Sequence, residues 1–372
     1  MTYQLEAHAG GYAAPDRTRE PRPVGEEELR FIRNFHDVFL SIGLGLFAAG
    51  LGLFSFLVVG SEVSGAFDFD GPESFRQAGW PFVGAAFFNA GVMWLLAEFF
   101  ARGRRLFLPS IVILLAFVQF FSGGVAGAYA LGLSGDIDTT AQAGDLFRAM
   151  PFAVASATTL AILAYYLRMR LPFAMGLTGV GIVATAIAGV AYVDVDLLSG
   201  AAVTIMFLAG AFLFLLGVFF DARDPARRTR YSDNAFWLHF FAAPLIFSSV
   251  MTLVGGGPLA QGGIEAGGPV AFLTLLVVGA FAILSLLINR RALLVSGLIS
   301  AAIAIAILVR ETGLSGAWTG AVTLLALGGA MVLLGAGWHV VRRVLVAPFP
   351  KEGLIARIIP PEPGPDEEPI EE

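Results

Sequence analysis

The chain has 372 residues, 57% of them hydrophobic and 14% charged, with a net charge of −6 and a mean hydropathy of +0.78. Soluble domains carry about 25% charged residues, so this composition excludes an ordinary soluble fold. The absence of cysteine excludes disulfides, thiolate metal sites, iron–sulfur clusters and cysteine nucleophiles.

In chain order, residues 1–25 combine Gly, Pro, Ala and charge and are expected to be a disordered cytoplasmic tail. They have no apolar stretch behind a basic start, so a cleavable signal peptide is not expected. A transmembrane domain of about ten helices is predicted over residues 26–345. Its apolar spans fall at 38–60, 79–100, 106–131, 148–167, 171–193, 197–220, 236–254, 269–288, 292–309 and 317–340. Each has about the 20 residues that a helix needs to cross the hydrocarbon. The inner loop 221–235 divides them into six spans and four. Residues 346–372 form a second cytoplasmic tail, proline-rich and acidic at its end, in which KEGLIARII reads as a short helix on the membrane surface.

Charge sets the orientation. Of the 23 basic residues all but Arg76, Arg148 and Arg310 fall in the segments on the amino-terminal side of the membrane. Loops on the other side carry Glu62, Asp68, Asp70, Asp136, Asp138, Asp194 and Asp196. Such asymmetry places both termini in the cytoplasm. Trp80 and Trp318 are expected at outer interfaces, Trp237 and Trp338 at inner ones, and Trp94 between helices. Arginine turns near Arg104, Arg168, Arg228 and Arg290 recur about every 60 residues, which reads as a repeated helical hairpin. Two of them, RGRRLFLP and RMRLP, place a proline at the start of the next helix.

Residues 43–48, GLGLFA, match the G-x-G-x-x-A of a dinucleotide-binding turn. That turn needs a preceding strand and an exposed loop, whereas EEELRFIRNFHD leads in and LFSFLVVG continues into lipid. The better reading is a packing seam: Gly43 and Gly50, and Gly45 and Gly52, are seven apart and share a helix face.

Polar residues inside the spans are the default functional candidates. They are Asn89, Glu98, Gln119, His239 and Ser248. Glu98 lies four residues before Arg102, which suits a helical ion pair. His239 and His339 lie at the inner ends of spans and read as interface histidines. Pro244 precedes Ser248 and Ser249 by one turn, which reads as an ordinary proline kink, with a kinked helix lining a cavity as the alternative. The outer FDFDGP at 67–72 lacks the later glutamate of a calcium loop. No catalytic motif occurs, and no catalytic, cofactor or metal site is expected.

The stretch 26–54, EEELRFIRNFHDVFLSIGLGLFAAGLGLF, together with the later R-x-R…P turns, resembles uncharacterised bacterial polytopic integral membrane proteins of unknown function. The resemblance runs over residues 26–345 and implies a multi-pass protein of the bacterial cytoplasmic membrane. The ten-span layout is also similar to drug/metabolite-type exporters, which are built as two five-span halves; the acidic outer loops and six-plus-four division depart from that plan. Arg outnumbers Lys by 22 to 1, which suits a bacterial membrane.

The expected function is that of a non-catalytic scaffold or accessory component. Its partners would be the lipid bilayer and other membrane proteins or a second copy of the chain, with no nucleic acid. The alternative is a secondary transporter of a small or apolar solute.

Overall fold

The computed structural model describes residues 35–66, 72–133, 140–224, 227, 229–253 and 268–361. The expected amino-terminal tail, most of FDFDGP and the end of the acidic tail lie outside the described residues. Among the described residues every regular element is a helix. They are α1 (Phe35–Ala66), α2 (Pro72–Ala97), α3 (Phe107–Leu133), α4 (Thr140–Met169), α5 (Pro172–Val193) and α6 (Val195–Gly200). After them come α7 (Ala202–Asp221), α8 (Arg230–Leu253), α9 (Gly268–Ile288), α10 (Ala292–Glu311), α11 (Ala317–Val346) and α12 (Gly353–Ile358). A π-helical segment, Glu98–Gly103, extends α2.

Nine of these helices are long and apolar enough to cross a membrane. The remaining long one, α10, has 20 residues and so rises about 30 Å, the thickness of the hydrocarbon core. The protein is therefore a polytopic helical bundle. In lipid such a bundle satisfies every backbone group inside its own helices.

Four antiparallel hairpins organise the bundle: α2–α3, α4–α5, α7–α8 and α9–α10. All four close on the arginine-rich turns. Each turn holds one non-glycine residue in the left-handed region, namely Arg105, Arg170, Arg227 and Asn289, with φ between 52° and 57°. A left-handed residue reverses the chain just after a helix and returns it antiparallel. Pro172 then opens α5, where its missing N–H costs nothing. At the other end, Asp194 caps α6 by accepting from the N–H groups of Asp196 and Leu197, both at 2.9 Å.

Burial identifies the central helix. In α8, 44% of the span is buried in the bundle, against 6% for α1 and for α11. One core joins α1 to α5 around Met93, Leu114, Phe117 and Tyr165. A second joins α5, α7 and α8 around Leu213 and Leu238. Trp94 packs edge-on to Phe117 and Tyr165, as expected of an intramembrane tryptophan.

Two expectations change. The inner loop is shorter than 221–235, because α8 begins at Arg230. The Asp224 carboxylate accepts from the Thr229 N–H and hydroxyl, both at 2.7 Å, and starts the helix there. Six long helices precede the loop and four follow it, and α7 and α8 on its two sides pack against each other. Finally, Trp338 is buried, not interfacial. Its indole N–H donates to Asn289 Oδ1 at 3.0 Å and holds α11 against the α9–α10 turn.

Candidate functional site

Of the paired glycines on α1, one pair has a partner. A methyl group on Gly52 would meet the Phe120 ring at 3.1 Å, and one on Gly45 would meet Val112 at 3.8 Å. The seam therefore lies against α3. Gly43 and Gly50 have nothing within 4 Å.

The structure places the five intramembrane polar candidates apart. Asn89 is buried and accepts from the Ser55 hydroxyl at 2.9 Å, tying α2 to α1. Glu98 accepts from Arg102 at 3.3 Å, the expected helical pair, and from Arg168 on α4 at 2.7 Å. Gln119 is exposed on α3. Ser248 and Ser249 donate to the Leu245 carbonyl of their own helix, at 3.2 and 2.7 Å. Hydroxyls turned back in this way are satisfied within their own helix.

His239 departs most from expectation. It is fully buried on α8. Its Nε2 lies 3.0 Å from Asp221 Oδ2 at the end of α7. A carboxylate only accepts, so Nε2 carries the proton. The ring sits edge-on to Phe214, with centroids 4.9 Å apart. It rests on Gly217, where a methyl group would come within 2.8 Å of Cε1.

Asp221 is the hub. Arg290, in the α9–α10 turn, donates from Nε to Asp221 Oδ2 at 3.1 Å and from Nη2 to Oδ1. The same Nη2 reaches the carbonyl and hydroxyl of Ser232, each at 3.1 Å. Arg290 is 1% exposed and Asp221 13%. Other bonds brace the turn. Ser285 donates to the Arg290 carbonyl at 2.6 Å. Arg227 donates to the Ile288 carbonyl at 3.0 Å and Arg342 to the Leu286 carbonyl at 2.9 Å. Arginines thus satisfy the carbonyls left open at the end of α9. Sequence reasoning missed Asp221, Arg290 and Arg342 because each was counted as a loop charge. The one sequence signal was their place at the edge of an apolar run, as in GVFFD.

A second charged feature lies between the first two arginine turns. A pocket of about 640 Å³ is lined by Arg102, Arg105, Arg168, Arg170 and Arg230. Its floor includes Ala101, Ser110, Met169, Leu171 and Pro172, all buried. Among the described residues no cluster of three or more His, Asp or Glu residues suits a metal ion.

Comparison with protein-family models, with curated proteins and with solved structures finds no match to this chain.

Proposed function

We propose that the chain is a non-catalytic scaffold or accessory component of the bacterial cytoplasmic membrane. In this reading both termini and all four arginine turns face the cytoplasm. The supporting observation is how the polar groups are used. Asn89, Glu98 and His239 are each bonded to a neighbouring helix. Ser248 is bonded to its own. A transport path needs such groups gathered at one site near the midplane.

The faces of α1 and α11 give partners a place to bind. Gly43 and Gly50 on α1, and Gly328, Gly329 and Gly335 on α11, have nothing within 4 Å. Small residues of this kind let a second helix approach closely.

The test pairs two measurements. In a mild detergent the chain should migrate in a stoichiometric assembly with another membrane protein. In proteoliposomes it should pass no solute of a broad uptake panel. Saturable uptake abolished by Asn89→Ala or His239→Ala would overturn the reading in favour of a secondary transporter.

A further inference from the structure

We infer that the pocket between the α2–α3 and α4–α5 turns is a binding site for the headgroup of an anionic phospholipid. Three observations converge on it, and none depends on the scaffold reading.

The first is charge. Five guanidiniums line one pocket. Glu98 is the carboxylate that meets them, and it engages Arg102 and Arg168 from either side. Among the described residues no carboxylate is paired with Arg105, Arg170 or Arg230. Guanidinium forks match the oxygen pairs of a phosphate better than any other side chain.

The second is the backbone. Leu106 and Phe107 start α3, Leu171 and Pro172 start α5, and Arg230 starts α8; all five line the pocket. Three helix N-termini therefore open onto the same space. Each contributes a partial positive charge, which favours an anion. No side chain caps the start of α5.

The third is shape. At about 640 Å³ the space is within the range of sites for organic ligands and is far larger than a lone phosphate requires. Apart from Ser110 its floor is apolar, and one wall continues into the outer surface of the bundle. Leu167 lines the pocket and is 66% exposed, as is Leu160 seven residues before it on the same face of α4. An acyl chain can lie along these leucines while its phosphate sits among the arginines. Basic pockets between transmembrane helices hold anionic headgroups in this way. A soluble organic phosphate would have no use for that open wall.

Native mass spectrometry on delipidated protein tests the assignment, with phosphatidylglycerol, phosphatidylcholine and glycerol 3-phosphate as probes. The informative variant is Arg105→Asn/Arg170→Asn/Arg230→Gln. Asparagine tolerates the left-handed backbone at the first two positions. Phosphatidylglycerol should bind more tightly than phosphatidylcholine by on the order of tenfold or more, and the triple variant should erase that preference. The control Arg223→Gln, outside the pocket, should keep it. Equal binding of the two lipids, or a preference that survives in the triple variant, overturns the proposal. Saturable binding of glycerol 3-phosphate without any lipid preference overturns it in favour of a soluble phosphate.

If the triple variant does not fold, Trp237 serves as a reporter in the unaltered pocket. It stacks on Phe107 of the pocket wall, with ring centroids 6.2 Å apart. Bromine-labelled phosphatidylglycerol should quench it more than bromine-labelled phosphatidylcholine at equal mole fraction, and Trp237→Phe should remove the difference. No difference in the unaltered protein overturns the site.

Discussion

Asp221 and Arg290, 69 positions apart, form a two-pronged ion pair that joins the end of α7 to the α9–α10 turn. His239 and Ser232 hold it from α8, so three hairpin segments meet on one carboxylate. Removing one partner of a buried pair strands the other charge, at a cost of about 3–5 kcal/mol. Arg290→Met should therefore lower the thermal unfolding temperature in detergent sharply, and so should Asp221→Leu. The double variant Asp221→Leu/Arg290→Met should lose much less than the two losses added together, because neither charge is left alone. Additive losses would show that the pair is not coupled.

The glycines should separate into two classes on substitution. Gly210 lies under α8, where a methyl group would meet the Ile246 backbone nitrogen at 2.9 Å. Backbone cannot swing aside, so Gly210→Ala should destabilise by about 1–3 kcal/mol. Gly50 has nothing within 4 Å. Gly50→Ala should leave the fold intact and stabilise it by up to about 1 kcal/mol through helix propensity. Unfolding followed by SDS titration would report both. A loss at Gly50 in the isolated chain would contradict the open face.

The helices were legible in the sequence because their apolar runs match the membrane thickness, and the hairpins because arginine marks every second turn. The α1 seam was legible as a face, while its partner α3 came only from the structure. Glu98 illustrates the limit of local reading. Its pairing with Arg102 follows from four-residue spacing, but Arg168 lies 70 residues on and reaches it only through packing. The same holds for His239, which looked interfacial at the end of its span. Its partner Asp221 precedes it by 18 residues across a loop, and no periodicity predicts that contact.

The four left-handed residues at the arginine turns should not respond alike to glycine. A residue with a Cβ pays about 1–2 kcal/mol to hold that conformation. Among the described residues the Arg170 side chain has no hydrogen-bond partner, so Arg170→Gly should raise stability by about 1 kcal/mol. Asn289 has the same backbone, but its side chain accepts from the buried Trp338 indole at 3.0 Å. Asn289→Gly should cost about 1 kcal/mol despite the relief, because a buried donor is left unpaired. Equal gains at the two positions would mean that the Trp338 bond contributes nothing.

The orientation can be read out directly, because the chain has no cysteine of its own. Arg104 and Ser199 are both exposed and sit on opposite ends of the bundle, Arg104 in an arginine turn and Ser199 in α6 between α5 and α7. The proposed orientation puts the arginine-rich end in the cytoplasm, because positive loops resist translocation. In intact spheroplasts an impermeant maleimide should label Ser199→Cys and leave Arg104→Cys untouched until the membrane is opened. The reverse pattern would turn the bundle over. It would also move the arginine pocket to the outer leaflet, where its ligand would have to be drawn from a different set of lipids.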